Sequence, residues 1–136
     1  MSSISTIALS GMTAATRRLS VSASNVANIA STGALPDAGG AVAAGAPPAY
    51  APLVVIQTAS AGGGAATSVA TATPSVTAVS DPQAPFANAS GLVAAPNVDL
   101  SQEMISQMIA SYSFAAGAAT LKADDRMTKA LLDIKA

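Results

Sequence analysis

The sequence predicts a mainly α fold. Long helices at the two ends of the chain pair as an antiparallel, coiled-coil-like hairpin, with a small β-containing or extended segment between them. Three observations carry this. Apolar residues recur at spacings of three and four over residues 4–31, and again over 99–134. Neither stretch contains proline. Between them the composition turns to Ala, Gly and Pro, interrupted by short β-branched runs. The chain therefore divides into an N-terminal helix segment (1–33), a linker with a small β or extended segment (34–96), and a C-terminal helix segment (97–136).

In the first helix, Ala8, Met12, Ala15, Leu19, Ser22, Val26 and Ile29 alternate by four and three, a heptad seam over three repeats. Most of these side chains are small, so a partner backbone can approach closely. The pattern stops at Ser31-Thr32-Gly33, and Gly33 suits a left-handed C-terminal cap. Residues 33–48 read as an extended, mobile linker. Leu53–Thr58 is a strand candidate, bounded by Pro52 and by Gly62-Gly63-Gly64. Beyond the glycines, Ala66–Ala72 and Ser75–Val79 alternate roughly, which predicts a small hairpin or β-lobe. Asp81–Phe86 is loop, and Asn88–Pro96 is an extended lead-in.

The second helix starts at a clear signal. Pro96 biases Ala95 away from helical geometry. Asp99 is a good N-cap, with Gln102 three residues on in the capping-box position. Ile105, Ile109, Tyr112, Ala116, Ala119, Ala123, Met127, Leu131 and Ile134 then form one stripe along roughly nine turns. So long a helix with so narrow a stripe requires a partner helix.

Composition removes whole classes of function. Alanine makes up 34 of 136 residues, Trp is absent, and Phe and Tyr total four. Each buried methyl gains little, so a large conventional core is not expected. Net charge is −1 with no basic patch, which argues against nucleic acid. With no Cys there is neither disulfide framework nor thiol chemistry, and with no His the commonest metal ligand and general base are gone. No transmembrane segment is expected, because no apolar run reaches about eighteen residues once Pro and Gly are counted. Nor does the N-terminus have the form of a Sec signal, since no Lys or Arg precedes Arg17. No catalytic, cofactor or metal site is expected.

The remaining constellations have plain explanations. Gly62-Gly63-Gly64 lacks the Lys-Ser/Thr that a phosphate loop needs, and reads as a turn. Asp124 and Asp125, near Arg126 and Lys129, read as a solvated face. Asn88-Ala89-Ser90 matches a glycosylation sequon by chance. The serines of Leu19–Ser24 have no histidine to activate them. Asn25 and Asn28 either cap the helix end or hydrogen-bond across to another helix. Met104, Met108 and Met127 read as adaptable interface.

Ser24-Asn25-Val26-Ala27-Asn28 followed by Ser31-Thr32-Gly33 resembles the N-terminal signature of bacterial flagellar axial proteins, the rod, hook and hook-associated subunits. Asn97–Leu100, Glu103-Met104, Tyr112, Leu121 and Leu131 resemble their C-terminal helix. Asp81–Pro85, Gly91-Leu92-Val93 and Pro96-Asn97-Val98, with the length, resemble the proximal-rod members most closely. Two positions depart: Ala34 stands where the family usually has an aromatic, and Gly117 where it usually has Asn.

The resemblance implies a non-enzymatic structural subunit of the basal-body rod, the hollow shaft that crosses the periplasm, transmits torque and conducts exported subunits. It implies passage through the flagellar type III export apparatus. It also implies partnership with other rod subunits and with copies of the same chain in a helical assembly. The subunit-interface residues expected from the stripes and the signature are Met12, Leu19, Asn25, Val26, Asn28, Ile29, Ile105, Ile109, Tyr112, Met127, Leu131 and Ile134. The alternatives are another axial or rod-adapter subunit, and a small secreted adaptor whose amphipathic helices bind a partner or a membrane surface. The membrane reading is disfavoured by the lack of a basic polar face.

Overall fold

The computed structural model describes residues 3–37 and 40–135. Two helices, α1 (Ser3–Ala27) and α2 (Leu100–Lys135), flank four short strands: β1 (Leu53–Ala59), β2 (Ala65–Thr71), β3 (Val76–Ser80) and β4 (Leu92–Pro96). The helices lie side by side and antiparallel. Ser5, near the start of α1, donates to the Asp124 carboxylate late in α2, while Ser22, near the end of α1, donates to the Glu103 carbonyl early in α2.

α1 ends four residues before the point its periodicity suggests. It stops at Ala27 because Asn28 turns its side-chain amide back onto the Ser24 carbonyl (2.9 Å), and tight turns follow from Ile29 to Val26 and from Ser31 to Asn28. These bonds satisfy the carbonyls that a helix end leaves open. Gly33 is therefore not the helix cap, and its φ is not positive. Its amide and carbonyl instead pair with Ala94. A Cβ there would collide with the backbone of Pro48 and Ala49 and lie 2.6 Å from the Pro47 oxygen. Glycine is required by a chain crossing. The described residues of this stretch, 34–37 and 40–48, are correspondingly pinned rather than run out as a linker. Ala34 bridges to Pro48, a turn joins Asp37 to Ala41, and Tyr50 donates to the Ser31 carbonyl.

β1 and β2 form an antiparallel hairpin with Val55 opposite Val69, across the triple glycine, where Gly63 and Gly64 take φ of +85° and +86°. The hairpin lies along α1 and is fixed at three points. Asn25 meets Leu53, Arg18 donates to Gln57 (2.9 Å), and the Ser10 hydroxyl accepts from Ala65 (3.1 Å). β3 and β4 form a second two-stranded ribbon with Val79 opposite Val93. The lead-in to the second helix thus contains a paired strand. Asn88, in the sequon, serves as a turn residue whose side chain accepts from Ser90 and Leu92.

Asp99 caps α2 as its position predicts, accepting from the amides of Ser101 (2.8 Å) and Gln102 (3.1 Å). The core is small in volume and in side-chain size. Its apolar members are Ala8, Ala14, Ala15, Ala34, Val93, Ala94 and Ala110.

Candidate assembly interface

The two helices meet through their smallest residues. On α2 the inward positions Glu103, Ala110, Gly117 and Asp124 fall seven apart. Opposite them α1 presents Ala8, Ala15 and Ser22, also seven apart, with Met12 between. Gly117 lets the backbones close up. A Cβ there would lie 2.5 Å from Met12 Cγ and 3.4 Å from the Ala8 carbonyl oxygen. Glycine in mid-helix costs about 1 kcal/mol against alanine, and here that cost has a packing reason.

Asp124 corrects the expectation of a solvated acidic pair. It is buried on this inner face, where Ser5 donates to it. Its neighbour Asp125 turns outward and pairs with Lys129 at 2.8 Å, one turn on. Adjacent helical residues point about 100° apart, so they meet different surroundings.

At the other end of the helix pair lies a polar junction. Asn25, 3% exposed, donates from Nδ2 to the Leu53 carbonyl (2.9 Å) and to Glu103 Oε1 (2.6 Å). Its Oδ1 accepts from the Leu53 amide (2.9 Å) and the Tyr50 hydroxyl (3.0 Å). The two asparagines of the signature have thus divided the two roles open to them. Asn28 caps α1, and Asn25 bridges α1 to β1 and α2.

Over Ile105, Ile109 and Tyr112 the stripe on α2 faces away from this inner seam, whereas Leu131, seven residues past Asp124, continues the inner face beyond α1. Ile105, Ile109, Tyr112, Met127, Leu131 and Ile134 are all exposed, as are Met104, Met108, Phe114 and Leu132. Tyr112 is 72% exposed, Leu131 68% and Ile134 82%. The stripe is real but does not cover α1, because side chains of that size would hold the helices too far apart for Ser5, Ser22 and Asn25 to reach α2. Toward its C-terminus α2 also outruns α1. Beyond Asp124, whose partner Ser5 lies near the start of α1, about three turns carry Met127, Leu131 and Ile134 past it.

Of the interface residues expected on α1, Met12 lies inward against Gly117 and Asn25 is buried in the junction. Leu19 is 43% exposed at the rim of an open groove of about 140 Å³ lined by Ala15, Ala110 and Phe114. Val26 and Ile29 are half-buried, and Ile29 falls outside the helix. The structure adds Tyr50, Glu103 and Asp124 as functional positions of the pair. The seven-residue spacing of Glu103 and Asp124 with Ala110 and Gly117 was the available signal. Nothing local pointed to Tyr50. Among the described residues no cluster of three or more Asp, Glu, His or Cys could hold a metal, and no helix is long and apolar enough to cross a membrane.

Residues 89–134 match the family described as flagellar basal body rod FlgEFG protein, C-terminal. Over this segment the chain is similar to the flagellar basal-body rod family. No curated protein matches the chain. The rod-family segment takes in β4, the Asp99 cap, the inner face of α2 and the outward stripe as far as Ile134. The rod family is structural rather than enzymatic and belongs to the flagellar basal body.

Proposed function

We propose that this chain is a structural subunit of the proximal part of the rod, built into the hollow shaft beside other rod subunits and copies of itself. The observation that carries the reading is the sorting of side chains on α2. Small residues are used up in contact with α1, while Ile105, Ile109, Tyr112, Met127, Leu131 and Ile134 form a continuous uncovered apolar row. Isolated exposed apolar residues are ordinary, but a long row marks a surface that another chain covers. Two different patches, the row and the groove at Leu19, allow head-to-tail contacts, which propagate as an open helix when the rotation between neighbours does not close a ring. In that setting the helix pair acts as one coiled-coil-like stave of the tube wall.

Small apolar burial within one chain fits delivery through a narrow export channel, because little core must be undone on the way. Docking then stabilises the helix pair further, when neighbours cover the row. The proximal position rests on the segment from Asp81 to Leu100.

A density map of intact basal bodies, compared with that of a strain lacking this chain, tests the proposal. The expected result is helical density in the proximal rod wall that fits α1 and α2 and vanishes in the deletion strain. A complete rod in the deletion strain would overturn it.

A further inference from the structure

We infer that Asn25, acting through Glu103, is a residue that fixes the register of α1 against α2. The inference concerns pairing within one chain and does not depend on the rod reading.

The repeated small positions of the helix seam set the register only weakly. Ala8, Ala15 and Ser22 face Glu103, Ala110, Gly117 and Asp124, each set spaced by seven. A slide of one heptad brings Ala15 onto Gly117 or Ala8 onto Ala110, so these positions alone lose little apolar area, while the Met12 seat at Gly117 and the Ser5–Asp124 bond add to the preference for the native register. Large knobs would normally discriminate between registers, but the large side chains of α2 point outward.

The polar junction does discriminate. Asn25 uses both ends of its amide, and all four of its bonds run to other segments: two to the Leu53 backbone, one to Glu103 and one to Tyr50. Leu53 is the first residue of β1, so the amide stands in for a neighbouring strand at that edge. Ser22, one turn earlier, binds the Glu103 carbonyl at 3.0 Å, so side chain and backbone of the same residue are read together. A heptad slide carries Glu103 about 10 Å away. It leaves a buried amide short of a partner, and each such unsatisfied group weights the register by roughly tenfold. A single buried polar residue is an established means of fixing register where apolar packing is degenerate.

The chain has no cysteine, so engineered pairs report register without background. Ser5→Cys with Asp124→Cys reports the observed register. Ser5→Cys with Leu131→Cys and Met12→Cys with Ala110→Cys report slides of one heptad in either direction. Each pair is oxidised in the full-length chain, and intrachain disulfides are identified by peptide mass. In the parent, only the first pair is expected to close. In Asn25→Leu, the ratio of slipped to native disulfide should rise roughly tenfold or more, with helicity by circular dichroism retained.

Should Asn25→Leu lose its helicity, a second comparison decides. In Asn25→Asp an oxygen replaces Nδ2 and faces both the Leu53 carbonyl and the Glu103 carboxylate, so slipped disulfides appear. Adding Glu103→Gln returns a donor to that contact and restores the native pattern. A purely structural role for Asn25 would lower stability without creating slipped disulfides. A native-only pattern in helical Asn25→Leu, or no restoration by Glu103→Gln, would overturn the inference. So would failure of the first pair to close in the parent.

Discussion

Replacing Leu131 by aspartate separates folding of the chain from its assembly. Leu131 lies on the part of α2 that runs past α1, and 68% of its surface is free. Full burial of a leucine contributes about 1.5–3 kcal/mol, so about 1–2 kcal/mol remains to be gained when a neighbour covers it. Leu131→Asp forfeits that gain and adds the cost of an unpaired buried charge, about 3 kcal/mol or more. An assembly contact weakened by about 4 kcal/mol loses roughly a thousandfold in affinity. Within the isolated chain the same change touches no packed contact. Its cost there is the lower helix propensity of aspartate and its poor fit near a helix C-terminus, together about 1 kcal/mol and confined to the last turns.

The control is Lys129→Ala, two residues away. It removes only a solvent-exposed pair with Asp125, worth about 0.3–0.5 kcal/mol. Circular dichroism of purified chains should show little change in helicity for either variant. In a strain lacking the natural chain, Lys129→Ala should restore motility, and Leu131→Asp should be absent from purified basal bodies. Incorporation of Leu131→Asp at the level of the unaltered chain would refute the claim that the uncovered apolar side chains of α2 are an assembly surface. So would a large loss of helicity in the isolated variant.

Gly117→Ala should destabilise the parent chain in urea unfolding followed by helicity, by about 1–2 kcal/mol, because the new methyl meets Met12 Cγ. In a Met12→Ala background the same change should become neutral or stabilising by up to about 1 kcal/mol, as the helix-propensity gain is no longer opposed. Gly33→Ala should cost about 3 kcal/mol, since the methyl would overlap the backbone of Pro48 and Ala49. Faster amide exchange at Gly33 and Ala94 would show it, whereas unchanged protection would contradict the crossing. Removing residues 127–136 should leave secretion intact but stop rod growth, while removing residues 2–18 should impair both. Secreted chain in the medium of a rod-blocked strain, read beside motility, distinguishes these outcomes.

Much of the fold was legible locally. The Asp99 cap, the proline-free helix after it, the Leu53 strand and the turn at the triple glycine all follow from short-range chemistry, and each stands where the sequence places it. The outward stripe was legible as a stripe, because helical period needs no knowledge of neighbours. Which face of α2 meets α1 was decided only by tertiary structure. Periodicity ranks positions by hydrophobicity and so selected Ile105, Ile109 and Tyr112. Close approach of two backbones selects by size, and the contact fell to Ala110, Gly117, Glu103 and Asp124.

The same reason explains Gly33, read from sequence as a helix cap and found at a chain crossing with residues more than ten positions away. It explains Asn25 too, whose residue type announces an amide in need of partners but not that Tyr50, Leu53 and Glu103 supply them. Sequence by itself determined which segments are helical, where they begin and which residues are apolar, because those depend on neighbours along the chain. Tertiary structure decided which apolar residues stay uncovered, because that depends on how close two backbones can come.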